Sequence, residues 1–200
     1  MSNLAINLRS TSGGGKSTTV RTILTAYNAQ PILDGNGKVC DYQIAACPDL
    51  GGKPLFVLGK YITATGGCDT VKTQDEVCDR VRKYIQRGNV LFEGLLISGL
   101  FDRYSKLADE LQADGHKLII GFLDTPLEQC VANTNKRREA AAQAKGKVAK
   151  EFDWEKTLAP KFRAILSARR KFEAAGKDVR NLPWGDTAPA TVAQWLLPAA

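Results

Sequence analysis

The sequence has a single histidine in 200 residues and no Cys-x-x-Cys pair. Its five cysteines, Cys40, Cys47, Cys68, Cys78 and Cys130, are odd in number and scattered. A zinc centre needs clustered sulfur and imidazole ligands, so this inventory argues against one and predicts reduced, mostly buried thiols. No apolar run approaches the roughly 20 residues that cross a bilayer, so no membrane partner is expected. No basic stretch precedes the apolar start, so residues 1–8 read as a first strand and not as a signal peptide. No internal repeat is visible. The expected location is the cytoplasm.

Hydrophobic residues make up 44% and charged residues 24%, the balance of a globular chain and not of a disordered one. Two hundred residues suit one α/β domain over 1–200. The net charge is +7 and is unevenly placed. Between Lys136 and Arg180 stand fourteen basic residues against six acidic ones, so this segment holds the whole excess. Such a stretch attracts polyanions, although a solvated helical face has the same composition.

Hydrophobic periodicity predicts alternating strands and helices. Residues 3–8 read as a short buried strand, followed by a glycine-rich turn and a helix over 16–29. An Asp-Gly-Asn-Gly turn at residues 34–37 predicts a β-hairpin within 31–47. Residues 55–58 form a further strand and 59–70 a glycine-containing loop. A helix over 73–87 begins with the capping box Thr73 and Glu76. The apolar run over 89–97, broken by Glu93 and Gly94, reads as a strand buried on both faces. Helix 101–113, strand 117–123 and a helix opened by Asp124, Thr125 and Pro126 follow. Residues 154–175 read as a helix kinked at Pro160, then come a strand at 179–182 and a closing helix. The pattern implies a three-layer α/β sandwich around a mainly parallel sheet.

Residues 10–17 read Ser-Thr-Ser-Gly-Gly-Gly-Lys-Ser. They match the phosphate-binding pattern G-x-x-x-x-G-K-[ST] except that Ser10 replaces the first glycine. Glycines let several backbone N–H groups converge on one anion, and the following helix turns its positive end to it. Ser12, Gly13, Gly14, Gly15, Lys16, Ser17 and Thr18 are therefore the candidate phosphate cradle for ATP. Lys16 is expected on the β- and γ-phosphates and Ser17 on Mg²⁺. Ser10 is compatible provided its φ stays negative.

Such a site also needs a carboxylate. Glu93 ends an apolar strand, where an unpaired acid is costly, and is the first candidate for metal or catalysis. Asp69, after paired glycines, is the second, as a base for an acceptor hydroxyl or as a cap of the next helix. Asp34 and Asp49 lie in turn-like sequence that favours aspartate anyway. Arg137 and Arg138, with Lys136, suggest a mobile basic lid over about residues 133–152. Arg103 is expected to face the same cleft. Phe152, Trp154 and Tyr104 are possible base-stacking aromatics or core residues.

Together the phosphate loop, the strand ending at Glu93, the Leu123-Asp124-Thr125-Pro126 turn and the arginines after it resemble the small P-loop kinases of nucleosides, nucleotides and polynucleotide ends. More narrowly, Gly66-Gly67-Cys68-Asp69-Thr70 with Phe92-Glu93-Gly94-Leu95-Leu96 resembles phage 5-hydroxymethyluracil DNA kinases, enzymes of DNA hypermodification. That resemblance implies a P-loop NTPase, nucleotide-kinase-like fold. It implies ATP and Mg²⁺ as cofactors and modified DNA as partner, with transfer of the γ-phosphate to the hydroxymethyl group of 5-hydroxymethyldeoxyuridine. Lys16 and Ser17 carry over as phosphate and metal ligands. Glu93 and Asp69 carry over as metal ligand and base without a choice between them. The basic segment fits DNA better than a free nucleotide. Two rivals stand beside this reading, a kinase of free nucleosides or nucleoside monophosphates and an ATPase module that moves a partner.

Overall fold

The strand at residues Leu4–Arg9, β1, is buried along almost its whole length, which places it inside the sheet. The computed structural model describes residues 2–63 and 66–198. The other strands are β2 (Gln30–Leu33), β3 (Val39–Ile44), β4 (Leu55–Leu58), β5 (Asn89–Glu93), β6 (Lys117–Leu123) and β7 (Asp178–Leu182). All seven join one sheet in the order β2-β3-β4-β5-β1-β6-β7. From β4 to β7 every neighbour is parallel, whereas the β2–β3 hairpin adds an antiparallel edge. The helices are α1 (Lys16–Ala26), α2 (Gln74–Ile85), α3 (Leu95–Ser98), α4 (Asp102–Ala113), α5 (Leu127–Gln143), α6 (Trp154–Thr157), α7 (Ala159–Ala174) and α8 (Ala188–Leu196). This is the three-layer α/β architecture the periodicity implies.

The period of two along β1 sorts its side chains between the two faces. Ile6 and Leu8 pack with Val20 and Ile23 of α1 and Val192 of α8. Ala5 joins the opposite core, with Val81 of α2, Leu107 of α4 and Phe172 of α7. Each such buried Leu, Ile or Phe stabilises the fold by roughly 1.5–3 kcal/mol. Arg9 continues the Ala5 series, so the same alternation carries a guanidinium into the α4–α7 face. It is fully buried, 5.1 Å from the centre of the Tyr104 ring and 4.6 Å from that of Phe172.

Three local expectations are corrected. The apolar run after Asn89 does not stay extended to Ile97. It leaves the sheet at Glu93 and coils into α3, because Asp69 accepts the amides of Leu95 and Leu96 and the Ser98 hydroxyl donates to the Gly94 carbonyl. The kink expected at Pro160 is a break between α6 and α7 at Leu158. Pro160 sits in the first turn of α7, where its missing N–H leaves no helical bond unmade. The capping box of α2 is half formed. The Thr73 hydroxyl accepts the Glu76 amide at 3.1 Å, while the Glu76 carboxylate turns to Arg80 instead. The expected loop over 59–70 includes residues 64 and 65, which lie outside the described residues.

Candidate active site

The parallel register sets Glu93 of β5 beside Leu8 of β1, so an acid and the glycine-rich turn leave the sheet at the same edge. That edge is the carboxyl end of the parallel strands, where α/β sheets of this kind bind ligands. Residues 10–15 form the turn between β1 and α1. Gly13 adopts φ +77°, and a Cβ there would lie 2.2 Å from the Cys130 carbonyl oxygen of α5. A side chain is therefore excluded both by conformation and by contact. Asn133 donates to the Gly13 carbonyl and Thr125 to the Gly14 carbonyl, each at 2.8 Å, so two side chains from the β6–α5 unit hold the loop from outside. Ser10 keeps a negative φ, as its place in the pattern requires, since Asn28 is the only non-glycine with positive φ among the described residues.

Lys16 is buried and its ammonium donates to the carbonyls of Ser10 (2.6 Å) and Thr11 (3.2 Å). An ammonium has three N–H donors, so one remains for an incoming anion. Burial lowers the Lys16 pKa, opposed by the nearby Glu93 and Asp69 carboxylates. Glu93 is 1% exposed, and its Oε1 accepts the Ser17 hydroxyl at 2.7 Å. Burial raises the Glu93 pKa, while Lys16 and Ser17 pull it back down. A carboxylate in this position wants a cation, because leaving it alone in apolar surroundings costs several kcal/mol. The Tyr61 hydroxyl is buried in the same region, near enough to Glu93 to help lower its pKa.

Around these groups lies an open cavity of about 820 Å³. It brings together Ser12, Gly13, Gly14, Gly15, Lys16, Ser17, Thr18, Asp69, Glu93 and Arg137. Of the paired arginines, Arg137 enters it. Arg138 instead lies over the Phe152 ring, 4.9 Å from its centre, and reaches the Lys150 carbonyl. Arg103 does not face this cleft. It pairs with Asp75 and lines a separate groove between α2 and α4. Tyr104 is fully buried beneath the sheet and is closed to a base.

Asp69 caps a helix, though not the one that follows it. Its carboxylate accepts the amides of Leu95 (2.8 Å) and Leu96 (3.1 Å) at the start of α3. The glycines before it have separate tasks. Gly66 lines the cavity, whereas Gly67, at φ +63°, lies so close to Glu93 that a Cβ would meet its Oε1 at 2.6 Å.

Sequence reasoning missed one wall. Trp184, Gly185, Asp186 and Pro189 close the cavity after β7, on the other side of β1 from Glu93. The Trp184 amide is held by the Asp124 carboxylate at 3.0 Å. A tryptophan next to Gly-Asp between a last strand and a helix was the available hint. Its distance of 167 residues from the phosphate loop hid the connection.

No protein-family model matches the sequence. A protein of Pseudomonas phage PaMx11 named 5-hmdU DNA kinase is 38% identical over 174 residues, covering 86% of each chain. A protein of the same name from Pseudomonas phage M6 is 30% identical over 190 residues, 90% of each chain. The 5-hmdU DNA kinase 1 of Salmonella phage ViI is 28% identical over 141 residues, 67% of this chain and 59% of that protein. A solved chain of the PezAT toxin–antitoxin system of Streptococcus pneumoniae has the same fold, with a TM-score of 0.54 and 17% identity. The match covers 98% of this chain and 78% of that one. That neighbour is of the P-loop type. A kinase on such a fold uses a nucleotide as phosphoryl donor. The chain is a phosphotransferase and belongs to the family of phage 5-hmdU DNA kinases.

Proposed function

We propose that the protein transfers the γ-phosphate of ATP to the hydroxymethyl group of 5-hydroxymethyldeoxyuridine within DNA. The observation that carries this reading is the convergence of Lys16, Ser17, Glu93 and Asp69 on one cavity, in a chain whose relatives carry that activity in their names.

The amides of residues 12–17 cradle the β- and γ-phosphates, and Lys16 follows the charge that develops on the transferred group. Ser17 and Glu93, joined at 2.7 Å, are an oxygen pair suited to Mg²⁺, which one or two protein oxygens hold together with phosphates and water. Bound there, Mg²⁺ would neutralise charge on the phosphates. Asp69 is the base. Each of its oxygens accepts one amide and keeps further lone-pair capacity to receive the proton of the acceptor hydroxyl. The hydroxyl oxygen forms the new bond to the γ-phosphorus as the bond to the β–γ bridging oxygen breaks, and ADP leaves. Arg137 lies where it can balance that charge, and residues 133–152 act as the lid that carries it. Trp184 and Asp186 wall the same cavity on the other side of β1 from Glu93.

Labelled ATP offered with 5-hmdU DNA, unmodified DNA and free nucleosides or nucleotides tests this. Label on the modified DNA alone is expected. Label on free nucleosides or nucleotides alone would overturn the proposal.

A further inference from the structure

Helix α3 is four residues long, too short to hold its shape unaided. Here it is clamped at both ends by charged side chains from other elements. Asp69 takes its first two amides. At its far end, Arg9 donates to the carbonyls of Ser98 (3.2 Å) and Leu100 (2.6 Å). Arg9 is itself immobilised, with its Nε on the Asn7 side-chain oxygen at 2.6 Å and its guanidinium between Tyr104 and Phe172. Burial pushes its pKa down to about 9, so the clamp is still a cation at neutral pH. Ile97 and Ser98 face inward and are buried.

What this clamp displays is apolar. Leu96 is 65% exposed and Leu100 is 40% exposed. A surface leucine in isolation carries no message. Leu96 differs because its amide is bonded to Asp69, which lines the cavity, and because the segment beneath it is fixed from both sides. Past Leu100 the surface continues into the groove that holds Phe101, Arg103 and Lys106. Lys106 is exposed, makes no ion pair among the described residues and is free to meet a phosphate.

Resting on the DNA reading of the site, we propose that α3 is a wedge for the acceptor strand. Leu96 enters the base stack where the modified nucleotide has left it, Leu100 supports the neighbouring base, and the strand continues over Lys106. Apolar side chains on rigid supports open base steps in this way, and an enzyme acting on a base must take that base out of the stack. One hydrogen bond separates the wedge from Asp69, so the displaced nucleotide would arrive beside the carboxylate that receives its proton.

The test compares kcat/KM on a duplex holding one 5-hmdU with kcat/KM on the same strand unpaired. For Leu96→Ala the duplex-to-single-strand ratio should fall about tenfold, the share of an unstacking cost of a few kcal/mol that one side chain offsets. Leu96→Met should restore most of the ratio, and an abasic site opposite the 5-hmdU should restore it for Leu96→Ala. A 2-aminopurine beside the target should brighten on binding wild type and stay dark with Leu96→Ala. An unchanged ratio, with or without a general loss of rate, would overturn the wedge while leaving the DNA reading intact. Wild-type transfer to single strands but not to duplexes would do the same. Wild-type transfer to free nucleosides or nucleotides alone would overturn the DNA reading, and the wedge with it.

Discussion

The Ser17 hydroxyl and the Glu93 carboxylate meet at 2.7 Å across 76 residues of sequence. This bond ties the first turn of α1 to the end of β5. It places this pair of oxygens, proposed above to hold the metal, beside Lys16. The arrangement depends on β5 lying next to β1, with Glu93 opposite Leu8.

Lys16→Ala should lower phosphate transfer by about 10²–10³-fold, as removal of one preorganised charge-stabilising donor does in other active sites. The fold should survive, because Lys16 gives up two hydrogen bonds to carbonyls and the removal also relieves a buried charge. Steady-state kinetics and a thermal melt check both halves. Retained activity would refute the role assigned to the loop.

Gly13→Ala should reduce ATP affinity and destabilise the protein by about 1–3 kcal/mol, since the left-handed backbone and the Cys130 carbonyl both oppose a methyl group. Gly35→Ala, in open space on the hairpin turn, is the control and should change neither. Ser10→Gly should keep activity, because the present φ is one that both residues adopt. Its cost should stay below about 1 kcal/mol, from the greater freedom of the unfolded chain. Isothermal titration with a nucleotide and denaturant melts give these quantities.

Arg137→Ala should cut kcat by about 10–100-fold, whereas Arg138→Ala should leave it within about twofold, because only Arg137 reaches the cavity. Equal effects would show that both arginines act on the transferred phosphoryl group.

The Cys130 thiol should resist alkylation in the native protein. Burial pushes its pKa up to about 11, the nearby Lys16 opposing. A raised thiol pKa means less thiolate at any given pH, so at pH 9 roughly 1% is ionised and at pH 7 far less. Mass mapping after iodoacetamide at pH 7.5 should find Cys130 unmodified until denaturant is added. Rapid native labelling would show that α5 does not stay packed on the phosphate loop.

By itself the sequence determined the features set by short-range pattern. The alternation of apolar runs prescribed the three layers. Gly15-Lys16-Ser17 prescribed the turn between a strand and a helix that is proposed to cradle phosphate, because every group such a cradle needs lies within one turn of chain. Even the departure at Ser10 was legible, since a negative φ suffices there. Only the tertiary structure decided which distant groups complete the site. Arg137 and Arg138 are adjacent in sequence, yet helix rotation sends one into the cleft and the other onto Phe152. Glycines 66 and 67 look alike in sequence, but one lines the cavity and the other packs against Glu93. The helix after Glu93 was hidden as well. Its residues are apolar enough for a strand, and what coils them is capping by Asp69, 26 residues away, and by Arg9, 89 and 91 residues away. Local propensity cannot encode bonds of that reach. They exist only once the parallel sheet has brought β1, β5 and the Asp69 turn to one edge.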